Sequence, residues 1–316
     1  MKLSQKQISA LPLVSIVVAT YNGERFLRKQ MDSLVKQTYP SLEIVVVDDA
    51  SGDNTLAILN DYTQSFDNVS IYPSEKNIGY VKNFERGILL CKGDYIALSD
   101  QDDIWLPEKI SRQMDAIGDA ALVYCDSQWI DGHGERMGQK LSDIKRHAAF
   151  WSPINYVVGG SASGHALLVK RQAILASIPL PSIVTHDYWI GFVATFWGAM
   201  KYVDEALVLY RQHEANVVGV TAGAAKATAK IRISKEEKNE IARQRIRLMY
   251  EKCPERLTEA KSALKALDLS YQDFSLHNNF SRMMLFFQYR NEITAYKKRK
   301  NWRIWFFCVK MFFRLQ

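Results

Sequence analysis

The stretch "VSIVVATYNGERFLRKQMDSLVKQTYPSLEIVVVDDASGDNT", residues 14–55, decides the fold. It opens with a β-branched apolar run, "VSIVVAT" (14–20), of the kind found in strands covered on both faces. After it, Leu27, Met31, Leu34 and Val35 recur at i, i+4, i+7 and i+8, which is one face of a helix, and Pro40 ends that pattern. "EIVVVDD" (43–49) is a second strand of the same type. The unit then repeats through a helix from Asn54 to Tyr62, "VSIYP" (69–73), a helix with Phe84, Ile88 and Cys91 on one face, and "YIALSD" (95–100). The expected fold is α/β, Rossmann-like, a mainly parallel central sheet with helices on both faces.

In such sheets ligands bind at the carboxyl ends of the strands. Here those ends read "TYNGE", "DDASGDNT", "SEKNIG" and "SDQDD". Any one of them is readable as a capped turn, but loops built only for turning need no repeated carboxylates. In the fourth, Asp100, Asp102 and Asp103 repel one another, and the repulsion is relieved by a proton or by a cation. Mg²⁺ and Mn²⁺ fit, since both prefer oxygen ligands and are commonly shared between one or two carboxylates and substrate phosphates. Alternatively, Asp103 caps the helix near Pro107 and its neighbours are solvated.

Together with "NIGYVKNFERGI" and "GDYIALSDQDDIWLPEKI", the opening stretch resembles the family 2 glycosyltransferases of GT-A fold over residues 13–215. The resemblance implies a nucleotide-diphosphate sugar donor, an inverting transfer, and Mn²⁺ or Mg²⁺ as cofactor. It implies that Ala19, Thr20 and Tyr21 surround the base, that Asp49 accepts from its ring N–H, and that Asn77, Gly79 and Lys82 approach the nucleotide. Asp100 and Gln101 fall to the donor, while Asp102 becomes the leading metal ligand. "THDYWIGF" matches the family's acidic motif under the acceptor. Asp187 is then the candidate base, with an N-cap role as the alternative, and His186 and Trp189 are candidate pocket residues. "YRQHEANVVG" resembles a segment of bacterial rhamnosyltransferase-like enzymes that closes over the diphosphate. There His213 is a candidate metal ligand or phosphate contact, beside Arg211 and Gln212. His165, after "GGSASG", is either near the sugar and acceptor or a core residue at a strand start.

Residues 221–316 carry 21 Lys+Arg against 9 Asp+Glu, whereas the preceding 220 carry 20 against 25. The division expected is an N-terminal extension (1–12), a catalytic domain (13–220), a helical region (221–296) and a basic aromatic segment (297–316). The last, "KKRKNWRIWFFCVKMFFRLQ", would place Arg299, Arg303, Lys310 and Arg314 on one helical stripe opposite an aromatic face. That pattern suits an anionic membrane surface, or else a helix packed on the catalytic domain. No recognised module accompanies it, so nucleic acid is not expected as a partner. No run of apolar residues is long enough to span a bilayer, and the four cysteines show neither zinc nor disulfide spacing. The expectation is a cytoplasmic enzyme, peripheral on the inner face of the cell membrane, using a saccharide or lipid-linked acceptor. A Mg²⁺-dependent phosphatase would want its Asp-x-Asp on the first core strand, not the fourth. A non-catalytic membrane scaffold of the same fold is the other alternative.

Overall fold

The computed structural model describes residues 11–213, 234–298 and 300–315. The predicted alternation is present as β1 (Val14–Thr20), α1 (Leu27–Val35), β2 (Leu42–Asp48), α2 (Thr55–Ser65), β3 (Val69–Pro73), α3 (Tyr80–Leu90) and β4 (Tyr95–Ser99). These four strands pair in parallel in the order β3-β2-β1-β4. β1 is apolar throughout because both of its faces are covered. Val17 packs with Val45, Val47, Phe84 and Ile88 on one side. Ile16 and Val18 pack with Leu27, Met31 and Leu34 on the other. Truncating Leu34 to alanine in such an interior costs about 2–5 kcal/mol.

The chain continues through β5 (Ile104–Trp105), α4 (Lys109–Ile117), β6 (Leu122–Ile130), β7 (Arg136–Lys140), α5 (Leu141–Ile144), β8 (Leu167–Lys170), α6 (Arg171–Ala176), α7 (His186–Ala194) and β9 (Met200–Arg211). This half is mixed. β8 is antiparallel to both β4 and β6, β9 is parallel to β6, and β5 closes the sheet antiparallel to β9. The full order is β3-β2-β1-β4-β8-β6-β9-β5, with β7 beside β6. β5 has only two residues, paired Ile104 to Leu209 and Trp105 to Val208. It matters because it drags the preceding acidic turn beneath β9.

Among the described residues, five helices follow: α8 (Lys235–Lys252), α9 (Thr258–Tyr271), α10 (Leu276–Gln288), α11 (Arg290–Ile293) and α12 (Asn301–Lys310). They are not a detached appendage. Ile246, Met249, Leu264, Leu267, Phe286 and Phe307 belong to the same apolar cluster as Val17 and Phe84. Buried Arg282 ties three of these segments together, donating to the Met311 carbonyl at 2.8 Å, to Asn279 Oδ1 at 2.6 Å and to the Ser270 carbonyl. Phe307 and Cys308 of the C-terminal helix are therefore core, while Trp302, Trp305 and Phe306 face outward. Arg303 and Lys310 line the same groove as Trp302 and Phe306, so cations and aromatics share a side where opposite sides were expected. Arg299, the segment "EANVVG" and the small-residue stretch after it lie outside the described residues. Among the described residues no helix is long and apolar enough to cross a membrane.

Candidate active site

The ends of β1 and β2 are held by acids that accept from neighbouring groups. Asp48, fully buried, accepts from the Thr20 hydroxyl at 2.8 Å and from the Ser51 amide and hydroxyl at 2.9 and 2.6 Å. Asp49 uses both oxygens, one for the Ile78 amide at 2.7 Å and one for the Gly79 amide at 2.9 Å. Asn77 donates back to the Asp49 carbonyl at 3.3 Å. Between these grips Ala50 sits at φ 61° and Gly79 at φ 84°. A left-handed alanine persists only where its surroundings over-determine it, as they do here.

Gln101 fastens the acidic turn to the first strand. Its Oε1 accepts from the Tyr21 amide at 2.8 Å and its Nε2 donates to the Tyr21 carbonyl at 3.0 Å. A Cβ on Gly23 would lie 2.4 Å from that oxygen, so the clamp requires glycine there. Thr20 is buried and turned toward Asp48, Ala19 is half-buried, and Tyr21 is exposed at the crevice mouth. Lys82 faces Glu85 at 3.0 Å, and Glu85 also accepts from the Leu180 amide.

The three acids after β4 have separate environments. Asp102 Oδ2 lies 2.8 Å from His213 Nε2, and that imidazole rests on the Phe26 ring at 4.9 Å. Asp103, read from sequence as a turn or cap, is fully buried, because β5 pins it under β9 and the Arg211 amide donates to its Oδ1 at 3.0 Å. Arg211 itself is buried over Phe26 and donates to the carbonyls of Asp102 and Asp131 at 2.7 and 2.9 Å. His165 Nδ1 stands 3.7 Å from Asp103 Oδ2 and 3.9 Å from Asp100 Oδ2. Its Nε2 bonds to the Ser127 hydroxyl at 2.8 Å, and its ring stacks on Tyr210 at 4.4 Å.

Burial, then the charges of Asp102 and Asp187, push the Asp100 carboxyl up to about 7, although 43% of that side chain remains exposed at the crevice. Asp103 is raised well above the ordinary range by burial and by its two acidic neighbours. Burial pulls His165 down to about 3, with Lys109 adding to the effect. Lys109 is itself buried over the Trp105 ring at 3.4 Å and lowered to about 8, mainly by desolvation. The neighbourhood therefore resists charge on every side. Asp103 Oδ2 is buried without a hydrogen-bond donor, and ligand atoms of Asp100, Asp103 and His165 all fall within 4.8 Å of one another. Two carboxylates and an imidazole so arranged fit a divalent cation.

Asp187 lies in the first turn of α7. The cap position belongs to Thr185, so the cap alternative for Asp187 does not describe this helix. Its Oδ1 accepts from the Tyr188 amide at 2.7 Å and its Oδ2 from the Gly164 amide at 3.3 Å. His186 is buried against Phe84 at 4.2 Å, a wall of the crevice. Trp189, expected in the pocket, is instead core: it is buried, packs on Phe192, and donates from Nε1 to the Ser177 carbonyl at 2.9 Å. Helical geometry explains the correction, since Trp189 stands two residues beyond Asp187 and so turns to another face.

Some site residues had no motif to mark them. Tyr80, half-exposed, has its phenol raised by partial burial and by the charges of Asp187 and Asp100, and its ring meets His186 edge-on at 5.8 Å. Lys145 likewise senses Asp187, although desolvation dominates and lowers it. Only the third acid of "SDQDD", followed by the strand-forming pair Ile104 and Trp105, carried a signal for Asp103.

Strand ends bearing an acid-rich cluster, beside a carboxylate that opens a helix, define a nucleotide-sugar site on a GT-A frame. The model described as "Glycosyl transferase family 2" matches residues 15–170. The dTDP-rhamnosyl transferase RfbG of Shigella flexneri is 30% identical over 220 residues, covering 64% of this chain and 73% of that protein. An uncharacterized glycosyltransferase of Rickettsia typhi is 28% identical over 219 residues, covering 66% and 67%. Among solved structures, S. aureus TarS 1–349 in complex with UDP-GlcNAc has a TM-score of 0.59 at 19% identity, covering 89% of this chain and 81% of that one. The mannosyltransferase PcManGT from Pyrobaculum calidifontis, in complex with GDP-Man and Mn²⁺, has a TM-score of 0.51 at 14% identity, covering 97% and 86%. This chain belongs to the family 2 glycosyltransferases and has the GT-A fold. It is a transferase that takes its sugar from a nucleotide-sugar donor.

Proposed function

We propose that the chain is a divalent-metal-dependent, inverting hexosyltransferase acting in the assembly of a bacterial surface polysaccharide. The observation that carries the reading is the convergence of Asp100, Asp103 and His165 within 4.8 Å, close enough to Asp187 for the Asp187 charge to act on Asp100. Asp100, Asp103 and His165, together with Asp102 and His213, would hold Mn²⁺ or Mg²⁺. A bound cation there neutralises negative charge developing on the diphosphate leaving group.

The chain's own residues do the rest. Tyr21 offers a ring face to the base at the crevice mouth, and the turn gripped by Asp49 fixes Asn77 and Gly79 beside it. Lys82, at the start of α3, supplies a cation toward the phosphates. Asp187 accepts the acceptor hydroxyl's proton as that oxygen attacks the anomeric carbon from the face opposite the leaving group. His186, against Phe84, walls the pocket. Two backbone amides, of Gly164 and Tyr188, hold the Asp187 carboxylate in place and orient it.

The donor assignment is dTDP-L-rhamnose, supported by the likeness to RfbG and by "YRQHEANVVG"; UDP-sugars are the second choice, supported by the likeness to TarS. The acceptor is a saccharide or lipid-linked saccharide. The catalytic unit spans residues 13–220, and the segment 297–316 holds the enzyme peripherally on the inner face of the cell membrane. Titrating a panel of nucleotide sugars with and without Mn²⁺ or Mg²⁺ tests the reading. Metal-dependent binding of one donor is the expected result, and no metal-dependent binding by any of them overturns it.

A further inference from the structure

We propose that α10 and α12 together form one docking platform for an anionic lipid bilayer, so that membrane contact does not belong to the C-terminal segment alone. The proposal rests on the membrane clause of the reading above and extends it to a second helix, with consequences for how the crevice is oriented.

α10 is two-faced. Asn279, Arg282 and Phe286 are buried, whereas Leu276, Phe280 and Met284 fall at i, i+4 and i+8 and are 78%, 56% and 48% exposed. The next residue of that stripe, Phe287, meets Trp305 of α12 at 6.0 Å between ring centres. Trp305 meets Phe306 at 5.4 Å, and Phe306 meets Trp302 at 6.0 Å. Through half-buried Phe287, the exposed apolar stripe of one helix adjoins that of the other. Exposed aromatic and aliphatic side chains that adjoin on two helices mark a contact surface.

Charge selects the partner. A groove of about 560 Å³ along α12 is floored by Trp302, Phe306 and Phe307 and edged by Arg303, Lys310 and Arg314. Lys298 and Lys300 are exposed just before the helix. Aromatic side chains with cations at their margin match the boundary between acyl chains and anionic head groups. The platform is also joined to the catalytic body, through the apolar cluster that Phe286 and Phe307 share with Val17 and Phe84 and through Asn155, whose side chain donates to the Glu292 carbonyl at 3.0 Å. Docking therefore fixes the orientation of the crevice relative to the lipid surface.

The test is co-sedimentation of the full chain with vesicles of phosphatidylglycerol and phosphatidylcholine, against phosphatidylcholine alone. The chain is expected to bind only the anionic vesicles, at least tenfold more weakly in Phe280→Glu and in Trp305→Glu. Each of Arg303→Ala, Lys310→Ala and Arg314→Ala should cost roughly fivefold. Phe280→Ser and Met284→Gln repeat the α10 test in case the glutamate variant does not fold, and Mn²⁺-dependent binding of dTDP and UDP should be unchanged in all of them. Wild-type affinity in the α10 variants, with loss in Trp305→Glu, overturns the two-helix platform and leaves the membrane reading standing. No binding to anionic vesicles overturns both. So does a dimer in light scattering that Phe280→Glu dissolves, or capture of the chain by duplex DNA or RNA in place of vesicles.

Discussion

Replacing Asp100 with asparagine should make the metal-free protein more stable and a poorer enzyme. Asp100 is pressed upward by its surroundings, by Asp102 and by Asp187, from 3.8 to about 7. A group whose folded value is raised contributes stability that is complete below its unfolded value and lost as pH rises through its folded value. The wild-type protein without metal therefore carries a penalty that grows from about pH 4 and is complete above about pH 7. The full displacement corresponds to ~4 kcal/mol at most. With 43% of the side chain exposed, solvent screens much of this, and a gain of about 1–2 kcal/mol for Asp100→Asn at pH 8 is expected. Scanning calorimetry in chelator should show the variant melting ~2–6 °C higher at pH 8, with the difference closing toward pH 4. With Mn²⁺ and donor nucleotide present the order should reverse, because ligand binding stabilises only the form that binds. Equal melting of the two metal-free proteins at pH 8, or a gain that persists at pH 4, refutes the reasoning.

Asp187→Asn should lower kcat by roughly 10²–10⁴ with donor binding intact, measured by transfer kinetics beside nucleotide titration; a normal kcat removes Asp187 as the base. Asp49→Asn leaves one acceptor for two amides, so the loop at residues 77–79 should loosen at a cost of about 1–3 kcal/mol, and donor affinity should fall with it. Amide hydrogen exchange at Ile78 and Gly79 would read this directly. Gly191→Ala would set a Cβ 2.2 Å from the Tyr156 hydroxyl in the core, costing about 1–3 kcal/mol in denaturant melts without changing donor specificity.

The parts of the fold legible in sequence are those whose cause is local. Val17 and Ile16 announce a doubly covered strand, and Leu27, Met31 and Leu34 a helix face, because burial writes its period into neighbouring residues. β5 could not be read that way. Ile104 and Trp105 are too short a run to have a period, and their partners Leu209 and Val208 come a hundred residues later. The environment of Asp103 follows from that pairing and was hidden with it. Trp189 failed for a related reason: being near Asp187 in sequence does not fix which face of α7 it occupies, and the Ser177 carbonyl claims its Nε1. The C-terminal helix was read as two alternatives, membrane or core, and it packs Phe307 inward while Trp305 faces outward.

The acids at the strand ends divide by what they already hold. Both oxygens of Asp48 and both of Asp49 accept from hydroxyls or amides within the chain, contacts that hold the loops in place. Asp103 is different, having one oxygen on the Arg211 amide and the other buried with no donor, while Lys109 close by is itself destabilised as a cation. A protein needing only a rigid turn would spend Asp103 as it spends Asp48, because a buried carboxyl oxygen without a donor costs stability. The proposed divalent cation, which prefers oxygen ligands and brings positive charge, would supply Asp103 Oδ2 with such a partner.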